Sequence, residues 1–280
     1  MISAQLQGNL GNQLWQYAVC RGVAERLGVP FHIPRAFQGH TLFPALSLGE
    51  PQEDIETVFY ENGHWHVQQY DPRVLRGDVI KDGTRLVGLF QSERYLWDIG
   101  RERLSQWFST EGLPNTEHLT TLANTCIINF RGGDYVGKSE VFLPKTYFQR
   151  AVEYVKRVDS GVKFVVVTDD EKTARTFFPN YPIVTPGPAL SFALVSHAPY
   201  LIIANSSFSW WASWLNDTAR VVVAPRYWLR YNVSTGWWSP SDSLTMRFTY
   251  IDPKTGRAVS ALECASAIDP ATNYLTNYYA

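Results

Sequence analysis

The sequence predicts an α/β protein whose second half is built on a parallel sheet. In that half, short apolar runs alternate with helix-length segments, the order typical of βαβ units. The chain also opens with an apolar run, a glycine-containing turn and a helical pattern, which is how a βαβ unit begins. Three of the predicted strands end on polar residues. Because ligands of open α/β sheets bind outside the carboxyl ends of the strands, a ligand site is expected at that edge.

Composition indicates a folded globular protein. The chain has 280 residues, 45% hydrophobic and 14% aromatic, enough for one large or two modest domains with real cores. Its net charge of −1 does not support a nucleic-acid partner or a polybasic membrane surface. Three cysteines lie far apart without C-x-x-C spacing, as expected for buried thiols in a reducing compartment. With no recognisable signal peptide and no transmembrane segment in the sequence, we expect a cytoplasmic protein.

The first half is predicted to contain two strand–helix pairs. The strands are expected at residues 2–6 and 85–90, and the helices at 13–27 and 93–108. Asn12 is a natural N-cap for the first helix, and the run Gly28-Val29-Pro30 is expected to end it. The run from Gly112 to Asn115 is typical of a break between two halves.

The second half alternates more regularly between strands and helices. Its predicted strands are 127–130, 163–168, 200–204 and 220–224, and its predicted helices are 144–157, 171–178, 190–197 and one that opens at 205–207. Such an alternation implies a parallel sheet covered on both faces.

Three strand ends of this half carry polar groups that suit a phosphate. Arg131 follows the first strand beside Gly132 and Gly133, whose N–H groups can point at an anion; the alternative is a loop Arg that merely pairs with a neighbouring Asp. The run 168–170 offers Asp169 and Asp170, which could accept from a base or ribose hydroxyl, or cap the next helix. The run 205–207 places two serines at a helix N-terminus, where hydroxyls and N–H groups suit a phosphate.

Five motifs together resemble the α-1,2-fucosyltransferases of glycosyltransferase family eleven. Four of them are similar to the family's G-G-L-G-N-Q-M-F-Q-Y-A, Y-F-Q-S-E-K-Y, H-x-R-R-G-D-Y and F-S-D-D, and the fifth matches its N-S-S-F-S-W-W-A. In this chain they are G-N-L-G-N-Q-L-W-Q-Y-A at 8–18, L-F-Q-S-E-R-Y at 89–95, N-F-R-G-G-D-Y at 129–135, V-T-D-D at 167–170 and N-S-S-F-S-W-W-A at 205–212. They occur in the family's order and span residues 8 to about 228.

The resemblance implies a GT-B-like fold, in which two Rossmann-like halves face a cleft. It also implies inverting transfer from a nucleotide-sugar to a glycan acceptor, with no metal and no cofactor. The expected division is an acceptor-side domain at 1–115, a nucleotide-sugar-binding domain at 116–228, and a C-terminal segment at 229–280 that packs back on the cleft.

The resemblance also assigns roles to residues. Arg131 would hold the donor's β-phosphate, and Asn12 would reach near the transferring carbon. Asp134 or Glu140 could be a general base, and departure with little base assistance is the alternative. The expected donor-binding residues are Gly11, Asn129, Asp169, Asp170, Ser206, Ser207 and Phe208.

Two positions depart from the family's pattern. The motif's His is Asn129 here, and an Asn can still donate and accept near the guanine or ribose. The motif's second Arg is Gly132, which removes one positive charge and a bidentate fork. Either another residue such as Lys138 compensates, or the donor differs from GDP-fucose.

The expected reaction is transfer of L-fucose from GDP-fucose to the 2-hydroxyl of a galactoside. The alternatives are a transferase for another GDP-sugar and a non-catalytic carbohydrate-binding protein on the same scaffold. Flat tryptophan faces suit the acceptor's sugar rings, with buried packing as the alternative. The candidates for that platform are Trp65, Trp228, Trp237 and Trp238.

Overall fold

The chain forms two compact α/β units, Met1–Glu111 and Gly112–Ala280. The structure, a computed structural model, describes residues 1–44, 46–51, 56–61, 70–113, 122–139, 141–228, 244–252 and 255–266. Each unit is built on its own sheet. The predicted α/β fold is therefore confirmed, whereas the domain limits at 115 and 228 stay predictions.

The first unit contains a four-stranded parallel sheet in the order β2-β1-β4-β3. Its strands are β1 Ile2–Ala4, β2 Phe31–His32, β3 Thr57–Tyr60 and β4 Thr84–Val87. Its helices are α1 Leu10–Leu27 and α2 Arg101–Trp107. Because all four strands are parallel, the loops that follow β1, β3 and β4 leave the sheet at the same edge.

Helix α1 begins three residues before its predicted start. Asn9 is in the N-cap position, so the predicted cap at Asn12 is wrong, and Asn12 lies in the first helical turn. Gln13 and Gln16 bind the turn before the helix, through bonds from Gln13 Nε2 to the Gly8 oxygen (3.0 Å) and from the Gln7 N–H to Gln16 Oε1 (2.9 Å). These bonds tie the helix to the turn before it, and the Asn9 side chain makes no capping bond.

The helix predicted over 93–108 is interrupted. A 3₁₀ turn covers Glu93–Leu96, and α2 starts only at residue 101. The reason is Gly100, whose φ of 81° lies in the left-handed region that ends helices.

The second unit contains a seven-stranded sheet in the order β11-β10-β9-β8-β5-β6-β7, parallel except for β11. Its strands are β5 Thr125–Phe130, β6 Lys163–Thr168, β7 Ile183–Val184, β8 Tyr200–Ile203, β9 Val221–Pro225, β10 Thr249–Ile251 and β11 Ala258–Val259. Its helices are α3 Lys145–Val158, α4 Glu171–Phe177, α5 Pro188–His197, α6 Ser207–Leu215 and α7 Ala261–Ser266. The parallel sheet predicted for the donor half is confirmed.

Strand β5 is buried on both faces and lies near the middle of this sheet. Ile128 and Phe130 face a core that includes Tyr147 of α3, whose hydroxyl donates to the Ile203 oxygen at 2.8 Å. Because side chains alternate along a strand, Asn129 points to the opposite face, where it contacts the first turn of α6. Helices therefore cover both faces, as the alternation predicts.

The order of the strands in this sheet reverses between β5 and β8. From β5 the chain proceeds outward through β6 to β7, and it then returns to β8 and continues through β9 to β10 on the other side. Such a switch point opens a crevice at the carboxyl ends of the two strands. Within the described ranges, no helix combines the length and the apolar character needed to cross a membrane.

Candidate active site

The loop after β5 and the start of α6 meet at this switch point. The hydroxyl of Tyr135, in the first loop, donates to the backbone oxygen of Asn205, which precedes α6, at 3.4 Å. Burial raises the pKa of Tyr135 to about 12, so the hydroxyl stays protonated at neutral pH. The structure thus brings together the two segments in which the sequence predicts phosphate-binding groups.

Arg131 pairs with two carboxylates at this edge. Its Nη2 lies 2.6 Å from Asp134 Oδ1, and its Nη1 pairs with Asp169. The guanidinium carbon also lies 5.5 Å from the ring centroid of Tyr135. The alternative interpretation, an Arg that pairs with loop carboxylates, thus describes a real contact. It is compatible with phosphate binding, since a guanidinium has five N–H donors and Arg131 is 31% exposed.

The two glycines after Arg131 leave room for the carboxylates that follow β6. The Gly132 N–H donates to Asp169 Oδ1 at 2.9 Å. A Cβ at Gly132 would lie 2.6 Å from the Cβ of Asp170, and one at Gly133, whose φ is 35°, would lie 2.5 Å from Asp169 Oδ2. A second Arg at position 132 would therefore require Asp170 to move.

Asp170 caps helix α4. Its Oδ1 accepts the Thr173 N–H at 3.0 Å, and its Oδ2 accepts the Thr173 hydroxyl. These two bonds, the hydroxyl's first, lower the pKa of Asp170. Both oxygens are thus used in the capping role that the sequence left open, and its role in donor binding stays a prediction.

Asn129 connects β5 to its neighbours. The side chain is 7% exposed. Its Oδ1 accepts the hydroxyl of Ser209 in α6, and its Nδ2 donates to the Val167 oxygen of β6 at 3.4 Å. This geometry makes Asn129 a residue that positions the start of α6, and its predicted contact with the nucleoside stays a prediction.

The start of α6 presents two serines and a phenylalanine to the switch point. Ser206 occupies the N-cap position with extended backbone, and its side chain makes no capping bond. Ser206, Ser207 and Phe208 are half-buried, and the Phe208 ring packs edge-on against Phe192 at 5.4 Å. The first N–H groups of an α-helix have no partners inside the helix, so this end of α6 can donate to an anion. The three tryptophans that anchor the helix are buried, namely Trp210, Trp211 and Trp214.

Asn205 is a positioning residue that the sequence reasoning did not identify. It is 1% exposed, and its Nδ2 donates to the backbone oxygens of Val141 (2.9 Å) and Trp228 (2.6 Å). The side chain therefore holds the segments after β5 and β9 beside the start of α6. Its place at the head of the N-S-S motif was the available signal. Trp228, a candidate platform, is half-buried and lines a small apolar pocket with Trp210.

In the first unit, Gly11 and Asn12 lie in the first turn of α1, at the carboxyl edge of the sheet. Gly11 is buried. Asn12 Oδ1 accepts Gln91 Nε2 at 2.7 Å, which joins the first two family motifs. The assignment of Asn12 to the transferring carbon stays a prediction.

Glu61 is a second functional candidate that the sequence reasoning did not identify. It follows β3 directly and is linked to the loop after β4 and to Tyr95. Burial raises its pKa to about 7.

Four predicted residues lie outside the described residues, namely Trp65, Glu140, Trp237 and Trp238. In the described part of the chain, no group of three or more His, Cys, Asp or Glu side chains could hold a metal ion.

Two α/β units on largely parallel sheets, with an Arg loop and a helix N-terminus meeting at the switch point of the second, place the chain in the GT-B-like fold class. The chain belongs to glycosyl transferase family 11, whose family model matches residues 84–235, more than half of its length.

Proteins with similar sequences are named as glycosyltransferases, and one solved structure has a similar fold. The O-antigen biosynthesis glycosyltransferase WbnK of Escherichia coli is 36% identical over 123 residues; the match spans 39% of this chain and only 41% of that protein. The alpha-1,2-colitosyltransferase of Escherichia coli is 24% identical over 274 residues, which cover 81% of this chain and 92% of that protein. The crystal structure of the fucosyltransferase NodZ from Bradyrhizobium superposes with a TM-score of 0.50 at 14% identity, over 80% of this chain and 94% of that one, and it supports the fold.

Proposed function

We propose that the chain transfers L-fucose from GDP-fucose to the 2-hydroxyl of a galactoside, with inversion and without a metal or cofactor. The observation that carries the proposal is the bond from Tyr135, in the loop that carries Arg131, to the Asn205 oxygen just before α6, at the switch point of the second sheet. Both segments belong to motifs that resemble the α-1,2-fucosyltransferases. The three cysteines, all buried and free of disulfides, support a cytoplasmic location.

The reaction exchanges one bond for another at the anomeric carbon of the donor sugar. The bond from that carbon to the β-phosphate oxygen breaks, and its electron pair stays on the phosphate. The acceptor's 2-oxygen bonds to the same carbon from the opposite face and loses its proton to a base. Arg131 and the N–H groups at the start of α6 stabilise the negative charge that grows on the diphosphate.

Two candidates for the base come from the sequence, Asp134 and Glu140. Asp134 lies 2.6 Å from the Arg131 guanidinium, beside the group proposed to hold the diphosphate, whereas the base of an inverting transfer acts on the opposite face of the sugar, so this contact does not support Asp134 as the base. Departure of the diphosphate with little base assistance is the alternative.

A second donor is favoured by one comparison. The relative aligned over 81% of this chain is named an alpha-1,2-colitosyltransferase. Colitose is L-fucose without its 3-hydroxyl, so the two donors differ by a single group. The glycine at position 132, where the family's motif has an Arg, is consistent with either donor.

The first test measures thermal unfolding with GDP, UDP, ADP and CMP added separately. A ligand at about 100 times its Kd stabilises the folded state by about 2.7 kcal/mol, which shifts the midpoint visibly. A shift with GDP alone supports the proposal and justifies assays with GDP-fucose and GDP-colitose. A shift with UDP or ADP instead would overturn the assignment of the donor.

The second test measures transfer by Arg131→Ala. Loss of a group that stabilises the transition state typically costs about 10²–10³-fold in rate, so we expect a folded variant with that defect. Arg175→Ala is the matched control, because Arg175 also pairs with a carboxylate of the same unit, Glu171 on α4. Substantial transfer by Arg131→Ala would contradict the mechanism. Glycan binding by the wild-type protein without consumption of donor would instead indicate a carbohydrate-binding protein.

A further inference from the structure

Glu61 holds the loop that follows β4 in the first unit. Its Oε2 accepts two successive backbone N–H groups, those of Leu89 at 3.0 Å and Phe90 at 2.8 Å. Its Oε1 accepts the hydroxyl of Tyr95 at 2.9 Å. Successive N–H groups that converge on one oxygen form an anion-binding concavity, which a carboxylate of the chain itself occupies here.

The surroundings of Glu61 are shaped to receive this carboxylate. A Cβ at Gly88 would lie 2.6 Å from the Glu61 Cβ and 2.7 Å from its Oε2, so only glycine permits the approach. Phe90 has a φ of 53°, in the left-handed region that side chains with a Cβ disfavour. It is fully buried and packs edge-on against Tyr95, with the ring centroids 5.7 Å apart. Such a conformation persists only where several contacts enforce it.

The loop held in this way carries a side chain to the start of α1. Gln91 directly follows Phe90, and its Nε2 donates to Asn12 Oδ1 at 2.7 Å. The Ser92 N–H donates to the Phe90 oxygen at 2.9 Å, so a hydrogen-bonded turn encloses Gln91. The direction of the Gln91 side chain therefore depends on the backbone that Glu61 fixes.

We propose that Glu61 is a positioning residue for the transfer reaction, acting through the loop 88–91 and Gln91 on Asn12. The inference rests on the proposed function, since it takes Asn12 to act near the transferring carbon. Glu61 itself need not touch a substrate. Its effect is to keep the Asn12 amide in one orientation, and small misplacements of such groups are costly in rate.

The test compares Glu61→Gln with wild type in steady-state transfer. A carboxamide has one acceptor oxygen; if that oxygen serves the two backbone N–H groups, an NH2 donor replaces the acceptor that receives the Tyr95 hydroxyl proton. We expect kcat to fall on the order of tenfold to a hundredfold, while the KM for the donor stays within about twofold. Glu25→Gln is the matched control, because Glu25 pairs with Arg21 and Arg103 on the same unit and makes no bond to this loop.

A double-mutant cycle with Gln91→Leu tests the route of action. If Glu61 acts through Gln91, the two substitutions together lower kcat little more than either alone. The inference is overturned if the losses in kcat of the two single variants multiply in the double variant. It is also overturned if Glu61→Gln has wild-type kcat.

Amide hydrogen exchange gives a readout that does not depend on transfer. In Glu61→Gln the amides of residues 88–91 should exchange faster than in wild type and in Glu25→Gln. Unchanged exchange overturns the role of Glu61, even if transfer is confirmed. Faster exchange, together with wild-type transfer by Asn12→Ala, would instead overturn the role assigned to Asn12 and leave Glu61 without a catalytic part.

Discussion

Replacement of Glu61 by Gln should make the stability of the first unit less dependent on pH. Burial raises the pKa of the Glu61 carboxyl from 4.5 to about 7 in the folded state. The folded protein therefore binds this proton more tightly than the unfolded chain does. The resulting stabilisation is complete below pH 4.5 and is lost as the pH rises through 7. A Gln at this position cannot titrate, so the variant lacks that loss.

The magnitude follows from the two pKa values. Their difference corresponds to about 3 kcal/mol, most of which is lost between pH 5 and pH 8. Two titratable groups lie beside Glu61, namely Tyr95 and Asp71. Tyr95 has a raised pKa and stays neutral, and Asp71, whose N–H donates to Tyr95, has its carboxylate paired with Arg73 at 2.6 Å.

The assay is urea unfolding at 25 °C at several pH values for wild type, Glu61→Gln and the control Glu25→Gln. The free energy of unfolding of Glu61→Gln minus that of wild type should rise by about 2 kcal/mol between pH 5 and pH 8. Glu25→Gln controls for loss of a carboxylate from the same unit, since Glu25 is a quarter exposed and pairs with Arg21 and Arg103. Parallel curves for Glu61→Gln and wild type would show that the buried carboxyl does not titrate in this range, and would refute the reasoning.

Two further predictions concern the second unit. Gly133→Ala should weaken GDP binding, measured by calorimetry, more than the control Gly137→Ala does. Both glycines have positive φ (35° and 82°), so both substitutions strain the backbone. Only at position 133 would the added Cβ also meet another atom, Asp169 Oδ2 at 2.5 Å. Equal losses would show that the contact with Asp169 does not matter. Asp170→Ala should lower stability by about 1 kcal/mol through loss of the α4 cap, with Asp170→Ser retaining most of it, and equal stability of all three proteins would contradict the capping role. A large loss of affinity in both variants would indicate that Asp170 binds the donor.

The fold was predictable where strands are long and apolar. Strand β6 has the predicted bounds, Lys163–Thr168, and the alternation around it gave the parallel sheet. Strands β7, β10 and β11 have two or three residues each, which is too few for a periodic pattern. They form because neighbouring strands supply backbone hydrogen-bond partners. The start of α1 was misplaced because Asn9, whose side chain makes no capping bond, occupies the N-cap position that the sequence assigns to Asn12.

The candidate site divides along the same line. Arg131 and the serines before α6 could be proposed because each follows an apolar run and stands beside glycine or at a helix start. Glu61 could not, and Asn205 had only its place in the N-S-S motif as a signal, because both residues act on backbone groups far along the chain. Asn205 binds the backbone of residues 64 and 23 positions away, and Glu61 binds that of a residue 28 positions away.

The two units hold their loops by the same arrangement. In each, a carboxylate directly after one strand accepts an N–H group from the loop after the neighbouring parallel strand. Glu61 does so for Leu89 and Phe90, and Asp169 does so for Gly132. A parallel ladder ends with its strands, so the next N–H groups need another partner, and the residue just past the adjacent strand is within reach.

Glycine is found in both loops where the carboxylate approaches, at Gly88 in the first unit and Gly133 in the second. An acidic residue directly after a parallel strand, with glycine in the neighbouring strand's loop, should therefore be considered first as a loop anchor. Asp169 fits that description, and it anchors the loop that carries Arg131. Removing this carboxylate would then displace Arg131, so a loss of transfer in an Asp169 variant does not by itself indicate a contact with the donor.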